Sequence, residues 1–405
     1  MPDAVLGRIL RLVAARSLNT FGRAVISATV LWELYARTGD QLVLAGVGLV
    51  QVIPVILLFV PAGTLVDHTD RRTLTTIAAT LTGLVGVGLA VASAHDAPVG
   101  VYLAILLVHG CVTAVHSPAS ASLIPLIIPR EDLERTNRLG ASAQELCAIL
   151  GPALAGLALG ALDARWIYAF VAVSGLASAV MYRSLPKPRT VETLGGARKD
   201  WRVGLRFIFR SPLLLPALTL DMFAVLFAGV TSLLPAIATD LLHTDAFGYG
   251  LLRSAQSTGA VTMAILGARL PPWRRPGRVL LTVVALFGAV TIGVGLSRSL
   301  PLTIALLVLG GMLDNISVVI RMTLEQMVTP DAIRGRVSAV HYVFIGMSNE
   351  LGTAQVGGMA TLLGTVPAIV TGGALAILVV GAVAVKWRSL AAMPPLAELR
   401  PPPDP

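Results

Sequence analysis

The sequence is poor in charged residues and in cysteine. Charged residues make up 13% of the 405 residues, about half of the roughly 25% that is usual in soluble proteins, whereas 55% are hydrophobic. This balance excludes an ordinary soluble domain. The two cysteines, Cys111 and Cys147, lie within hydrophobic segments. This placement argues against a disulfide framework and favours small buried side chains.

Catalytic motifs are also absent from the sequence. It contains no His-Glu-x-x-His metal site, no Gly-x-Ser-x-Gly nucleophile turn and no Walker-type phosphate loop, which are common short patterns of enzymes and ATPases. The loops between the hydrophobic segments are too short to hold a catalytic domain. We therefore predict a protein that is not an enzyme and uses no metal or cofactor, with a membrane enzyme as the weaker alternative.

The hydrophobic residues form long blocks rather than amphipathic stripes. Each block has about 20 residues or more, enough to cross a hydrocarbon core of about 30 Å. Backbone polar groups must be satisfied internally in lipid, so the blocks are predicted to be helices. We predict an all-α integral membrane protein with twelve spans at residues 12–36, 42–66, 73–94, 99–124, 139–162, 165–185, 213–240, 248–270, 279–297, 301–326, 338–363 and 366–386.

The net charge of +9 is distributed unevenly between the two sides of these spans. With the N-terminus inside, three of the 31 Lys and Arg residues lie in outer loops and three within spans, leaving 25 on the inner side. This asymmetry follows the positive-inside rule. It predicts an inner-membrane protein in contact with lipid, with both termini in the cytoplasm, and it argues against a nucleic-acid partner.

The chain divides at one sizeable loop. We predict an N-terminal six-helix half at 1–185, a cytoplasmic linker at 186–212, a C-terminal six-helix half at 213–390 and a disordered tail at 391–405. Within the linker, the basic and aromatic segment from Trp201 to Phe209 is typical of a helix lying on the inner membrane surface. Binding of an inhibitor or partner there is the alternative.

The two halves repeat each other. A shift of 201 residues aligns Pro129 with Pro330, Arg135 with Arg336, Leu150-Gly151 with Leu351-Gly352 and Gly156 with Gly357. Two similar six-span halves are the arrangement of transporters that rock about a central site. Duplication of a purely structural bundle is the alternative.

A charged turn lies between the second and third spans. It contains Gly63, Leu65, Asp67, Arg71 and Arg72. These residues match the Gly-x-Leu-x-Asp signature with its short basic run, and the chain thereby resembles the major facilitator superfamily. That resemblance implies twelve helices in two pseudo-symmetric halves, transport by alternating access, and a protein expected to be monomeric.

Several motif residues are candidates for a conformational latch. Gly63 would allow close helix approach, Asp67 would bind a helix N-terminus, and Arg71 and Arg72 would bind carboxylates or helix-end carbonyls. Arg334 and Arg336 are predicted to act similarly in the second half, whereas a turn that only fixes orientation is the alternative. In the fifth span, a second group resembles the superfamily's antiporter motif, with plain helix packing as the alternative: Gly151, Pro152 and Gly156.

Polar and ionisable residues inside spans are candidate site residues, because burying a charge in lipid costs roughly 2.5–3.5 kcal/mol. They lie in spans that line the central cavity of the superfamily, or beside it, and they include two aromatic residues suited to an amphipathic ligand, for which ordinary packing is the alternative. The predicted cavity and substrate residues are Asn19, Arg23, Thr113, His116, Ser317, Arg321, Phe223 and Phe227.

Proton coupling is predicted first at Asp314. A carboxylate whose surroundings change between two states can bind a proton in one state and release it in the other, with Arg23 or Arg321 as its partner. His109 is the second candidate because imidazole titrates near neutral pH. Asp221 and Glu350 complete the set. Static buried pairs are the alternative, and the fourth-span arginine motif of many proton-coupled drug antiporters is absent.

Other strings resemble the enterobactin exporter group of this superfamily. They are Pro54, Ser117-Pro118-Ala119, Leu251-Leu252-Arg253, Arg334-Gly335-Arg336-Val337 and Ser348-Asn349-Glu350-Leu351-Gly352. The resemblance implies export of a siderophore or drug, driven by a proton or other ion gradient. The residues after Gly352 depart from the group by lacking its acidic residue. Uptake of a small nutrient and a non-transporting sensor are the alternatives.

Overall fold

The structure is a computed structural model that describes residues 3–187, 201–267, 269, 271, 273–330 and 333–399. Within these ranges a few side chains, including that of Asp67, lie outside the described part. The described residues are helical almost throughout, and we find no strand among them. This agrees with the prediction from the hydrophobic blocks.

Fifteen helices follow one another along the described residues. They are α1 Asp3–Thr38, α2 Gln41–His68, α3 Arg71–Ala94, α4 Val99–Ile127, α5 Leu133–Leu159, α6 Ala164–Ser184, α7 Trp201–Arg210, α8 Leu214–Ala228, α9 Leu234–Ala236, α10 Ala246–Gly267, α11 Pro276–Leu296, α12 Leu300–Val328, α13 Arg334–Leu363, α14 Thr365–Lys386 and α15 Arg388–Ala391. A π-helical turn, Ile237–Leu241, continues from α9.

Nine segments of the described chain are long and apolar enough to cross a membrane. They are Gln41–Leu58 of α2, α3, α4, Arg135–Leu159 of α5, α6, Leu214–Leu241, α11, α12 and α14. The other predicted spans fall in α1, α10 and α13, which have 36, 22 and 30 residues. These three are long enough to span but do not qualify on hydropathy, so twelve remains the predicted number.

One compact unit, unit 1, comprises Met1–Gly39, Gly46–Ala197 and Asp245–Ser254. Its core includes Leu12, Leu123 and Tyr182, none of which is exposed. Glycines bring α3 and α6 together, since a Cβ added to Gly175 would lie 2.5 Å from the Gly83 nitrogen. Small residues at a crossing permit such close backbone approach.

The second compact unit, unit 2, comprises Asp40–Ala45, Arg198–Thr244 and Ala255–Pro405. Its core includes Leu280, Ile320 and Leu324, which are fully buried. The predicted halves at 1–185 and 213–390 follow chain order. The compact units differ from them by two short segments, the start of α2 and the start of α10.

The linker and the tail both contribute to unit 2. Helix α7 forms where an amphipathic helix was predicted and packs on α13, because a Cβ on Gly204 would lie 2.6 Å from the Arg336 carbonyl oxygen. Linker residues 188–200 lie outside the described part. The prediction of a disordered tail from 391 is wrong as far as Leu399, since Met393 and Leu399 are 2% and 9% exposed and belong to the apolar core. Their apolar side chains anchor the proline-rich segment.

Candidate functional site

An ion pair between α8 and α12 is the centre of the polar site in unit 2. The Arg321 Nη1 atom lies 2.7 Å from the Asp221 Oδ1 atom, and it also donates to the Ser317 hydroxyl at 2.6 Å. Asp221 and Arg321 are 7% and 5% exposed. A charge-assisted bond in such surroundings is stronger than a neutral one and is costly to leave half-made.

A narrow cleft with an accessible volume of about 10 Å³, room for about one water molecule, lies beside this ion pair. The structure brings four predicted residues together there: Asp221, Asp314, Ser317 and Arg321. The rest of the lining is apolar and comprises Ala224, Val225, Val283, Val284, Phe287 and Leu313. Arg321 thus pairs with Asp221, a partner that the sequence did not indicate, while Asp314 lines the same cleft.

A second narrow cleft in unit 2 has an accessible volume of about 20 Å³ and shares Phe287 with the first. In it the Thr231 hydroxyl donates to the Gln256 side-chain oxygen at 3.2 Å. The predicted aromatic residues Phe223 and Phe227 are half-buried and stack on each other, with ring centroids 5.8 Å apart. Neither lines these two clefts, and their role in substrate binding stays a prediction.

Unit 1 brings together the predicted residues of α1 and α4. Asn19, His109 and His116 are 2%, 4% and 5% exposed, and Arg23 acts electrostatically on both histidines. Among the described residues, neither ring nitrogen of His109 has a hydrogen-bond partner. Thr113 lies half-buried on the same stripe of α4. Buried polar atoms of this kind need water or a ligand as partner, so they are suited to bind a polar group of a substrate.

Two buried carboxylates escaped the sequence analysis. In unit 1, Glu33 accepts hydrogen bonds from the hydroxyls of Ser93, Tyr102 and Tyr168 at 2.6, 2.7 and 2.8 Å. In unit 2, Glu325 contacts the side chains of Ser338 and His341. In the sequence, Glu33 lies near the end of the predicted span 12–36, and Glu325 lies near the end of the predicted span 301–326. An acidic residue within a predicted span is the signal that could have identified both.

Glu350, the last predicted coupling residue, lies half-buried on α13. It is not part of the lining of either described cleft. Its role in coupling stays a prediction.

The turn between α2 and α3 is shorter than predicted, since α2 ends at His68 and α3 begins at Arg71. Asp70 caps α3 by accepting from the Thr73 backbone N–H at 2.9 Å, and Arg72 donates to the carbonyl of Arg183 at the end of α6. A Cβ on Gly63 would meet no described atom within 4 Å, which contradicts the expected close helix contact there. Leu65 is 45% exposed.

The corresponding arginines of the second half lie at the start of α13. Arg334 donates to the carbonyls of Gln326 and Thr329 at 3.5 Å, so it contacts the C-terminal end of α12 as a cation should. The backbone of Arg336 supports α7, and its side chain is half-buried. Arg72 and Arg334 thus both donate to helix-end carbonyls. The sequence predicted such a partner for Arg72 and a similar role for Arg334.

A match to the family described as transmembrane secretion effector, within the major facilitator superfamily, extends over residues 8–399. The chain belongs to this family. Among curated relatives, the enterobactin exporter EntS of Citrobacter koseri is 27% identical over 306 residues, covering 74% of this chain and 73% of the relative. EntS of Shigella flexneri is 26% identical over 307 residues, covering 74% and 72%.

Solved transporters share the fold of this chain at low sequence identity. A bacterial homologue of the human lysosomal transporter Spinster, inward-facing and occupied, has a TM-score of 0.68 and 14% identity, over 95% of this chain and 94% of that one. The D-xylose–proton symporter has a TM-score of 0.68 and 15% identity, over 93% and 96%.

The predicted family and fold are confirmed by these comparisons. The protein is a multi-pass membrane transporter of the major facilitator superfamily and resembles the enterobactin exporters. It is a transporter rather than an enzyme. Members of this superfamily bind small-molecule substrates, and many of them use ion gradients.

The antiporter-like motif of α5 forms two close helix contacts in unit 1. A Cβ on Gly151 would lie 2.8 Å from the Ala24 Cβ atom of α1, and one on Gly156 would lie 2.7 Å from the Gly250 Cα atom of α10. Pro152 lies between them inside α5. The glycines therefore serve packing in this conformation, and a role in conformational change remains a prediction.

The substitution Gly250→Ala tests the α5–α10 contact. A Cβ there would lie 2.4 Å from the carbonyl of Gly156, which is backbone and cannot rotate away. Overpacking of this kind costs about 1–3 kcal/mol, so we expect a lower midpoint of thermal unfolding in detergent. Gly63→Ala is the matched control and should leave the midpoint unchanged. Equal midpoints for the two variants would contradict the close contact.

Proposed function

We propose that this transporter exports an amphipathic small molecule of the siderophore or drug class, using a proton gradient and alternating access. The buried Asp221–Arg321 pair beside Asp314 is the observation that carries the proposal. Ionisable groups buried in a membrane protein are costly and mark ion or substrate pathways. We further propose an inner-membrane location with both termini in the cytoplasm, because of the charge asymmetry.

The coupling step rests on competition for Arg321. Asp221 holds this guanidinium at 2.7 Å, and Asp314 lines the same cleft. A shift of α12 relative to α8 would separate Arg321 from Asp221 and leave its side chain able to turn toward Asp314, two turns earlier on α12. The carboxylate that loses the guanidinium would then favour its protonated form, and the one that gains it would favour its ionised form. Proton binding and helix position are then linked. His109, buried in unit 1, is the second candidate, and Glu350 the third.

Substrate recognition would combine an apolar surface with a few fixed polar groups. Phe287 lines both clefts of unit 2, and the side chains of Asn19, His109 and His116 offer buried polar atoms in unit 1. Such a mixture suits an amphipathic molecule, for which the narrow clefts would have to widen in another state of the transport cycle. Enterobactin is the molecule named for the relatives, and an anionic catecholate would suit the Arg23 guanidinium and the histidines.

Two alternatives differ in measurable outcome. Nutrient uptake would move substrate inward, and a sensor would bind without flux. Siderophore secretion and antibiotic susceptibility should be compared in cells lacking the gene and in complemented cells. We expect deletion to reduce secretion or to raise susceptibility, with recovery on complementation. Unchanged values for both would contradict export.

Asp314→Asn tests the assignment of coupling. In vesicles driven by a pH step, we expect this variant to lose most of its substrate flux, because an amide cannot bind and release a proton as the carboxylate does. The exposed carboxylate variant Asp163→Asn is the control and should keep full flux. Full pH-driven flux in Asp314→Asn would show that Asp314 is not the coupling residue.

A further inference from the structure

Helix α12 carries one continuous polar stripe. Asp314, Ser317, Arg321 and Glu325 are spaced by three, four and four residues, which places them on one helix face. The first three line the cleft at the Asp221 ion pair. Glu325 lies one turn beyond Arg321, near the end of α12 at Val328.

Glu325 is held by α13 at this end of the stripe. Its Oε2 atom contacts the Nδ1 atom of His341, and its Oε1 atom accepts from the Ser338 hydroxyl. Glu325 and His341 are 6% and 4% exposed. Two titratable groups in direct contact bind protons as a pair, so a bound proton is assigned to the pair and not to one of the two residues.

The charges around this pair are of two kinds. Arg321, which is buried, precedes Glu325 by one turn and is bonded to Asp221 of α8. The charged residues on the surrounding elements are otherwise exposed or half-buried: Arg202, Arg206 and Arg210 on α7, Arg278 on α11, Arg334, Arg336 and Glu350 on α13, Lys386 on α14, Arg388 on α15 and Glu398 beyond it.

We propose that Glu325 and His341 form a proton-binding site at the end of the α12 stripe. This pair would be a second site of proton coupling, in addition to the site at the Asp221–Arg321 pair. This inference rests on the proposed proton-coupled export. With one proton bound, the carboxylate and imidazolium have no net charge and attract each other. When the proton leaves, the pair carries one negative charge, and the attraction between α12 and α13 is reduced.

The location gives this proton a mechanical effect. Side chains of α13 contact the end of α12 in more than one place: His341 and Ser338 contact Glu325, and Arg334 donates to the carbonyls of Gln326 and Thr329. Of these side chains, the imidazole is the one that can exchange a proton with the carboxylate, because a guanidinium stays protonated. Loss of the proton therefore weakens one of the contacts at this helix junction, and the polar stripe runs from the junction to the cleft.

The first test measures proton binding directly in the full chain. The sequence has six histidines, so histidine-labelled protein in lipid nanodiscs gives few signals, and that of His341 is identified by its loss in His341→Gln. We expect the His341 signal to titrate, with a midpoint that moves by about one pH unit or more in Glu325→Gln. A His341 signal that does not titrate, or one unaffected by Glu325→Gln, would overturn the site.

The second test separates coupling from structural support. Glu325→Gln should lower pH-driven flux in vesicles at least about tenfold, while substrate exchange at equal pH on both sides stays within about twofold of wild type, because exchange needs no net proton release. The exposed Glu398→Gln serves as the control. Equal loss of flux and exchange would assign the pair a structural role, and unchanged pH-driven flux would exclude it from coupling.

The two tests also distinguish failure of the inference from failure of the proposed function. If wild-type protein shows no pH-driven flux, proton-coupled export is wrong, and the titration of His341 alone then decides whether the pair binds a proton. If wild-type flux follows the pH step but the Glu325→Gln variant behaves like wild type in both assays, the proton site is wrong and the proposed function stands.

Discussion

Arg321→Met should abolish measurable transport and lower the midpoint of thermal unfolding. The substitution removes the cation that lies 2.7 Å from the Asp221 carboxylate, and Asp221 is only 7% exposed. Breaking a buried ion pair by removing one partner costs about 3–5 kcal/mol, because the remaining charge has no compensation. Unfolding in detergent and flux in vesicles measure the two effects.

The double variant Asp221→Asn/Arg321→Met separates stability from transport. Removing both charges eliminates the uncompensated group, so we expect much of the lost stability to return. Neighbouring residues of this kind give non-additive effects in a double-mutant cycle. Transport should remain absent, because the exchangeable cation is gone. Additive losses of stability would show that the two groups do not interact, and recovery of transport would make the pair purely structural.

In unit 2, the positions of the helices could be predicted from the sequence more fully than the contacts between their side chains. Hydrophobic length and charge asymmetry predicted α11, α12 and α14 within a few residues, because membrane thickness fixes helix length. The amphipathic pattern predicted α7. In contrast, the pairing of Arg321 with Asp221 joins residues 100 positions apart. The sequence indicated that each was buried, but the relative rotation of α8 and α12 decided which carboxylate receives the guanidinium.

The missed carboxylates show the limit of an argument from burial cost. A charge in the middle of a predicted span is conspicuous, because lipid makes it costly. Glu33 and Glu325 lie near span ends, where a carboxylate can reach water, so the same argument assigned them no importance. The structure buries both through hydroxyl and imidazole groups from other helices. Those partners follow from packing, which a single sequence does not display.

The signature turn shows a similar limit at single residues. The sequence predicted a turn here because the charged run interrupts two apolar blocks, but the predicted turn was too long: Gly63, Leu65 and Asp67 lie inside α2. The structure assigns the helix cap to Asp70 and gives Gly63 no close neighbour among the described atoms. The motif thus indicates that a turn lies in this region. The contacts that each of its residues makes depend on the direction of the side chain, which the motif does not specify.

Glu33→Ala should have the second large effect, on the stability of unit 1. Three hydroxyls donate to this carboxylate, and the side chains of Tyr102 and Tyr168 are fully buried. Each hydrogen bond to a charged group contributes about 1.5–3 kcal/mol, and a buried donor left without its acceptor adds a penalty. We therefore expect a loss of more than about 3 kcal/mol, measured by chemical unfolding in detergent.

Matched variants relate this prediction to proton coupling. Glu33→Gln keeps one acceptor oxygen and should lose less stability than Glu33→Ala. Arg37→Ala should also lose less than Glu33→Ala, because Arg37 is partly exposed, lies 3.9 Å from Glu33 and donates hydrogen bonds of 3.0 Å only at the edge of the network, to the Tyr102 hydroxyl and the Ala97 carbonyl. The donors to Glu33 are neutral hydroxyls, whereas Glu325 contacts an imidazole that can share a proton. Glu33→Gln should consequently retain pH-driven flux where Glu325→Gln loses it. Loss of flux in both variants would mean that burial of a carboxylate, rather than its histidine partner, determines coupling.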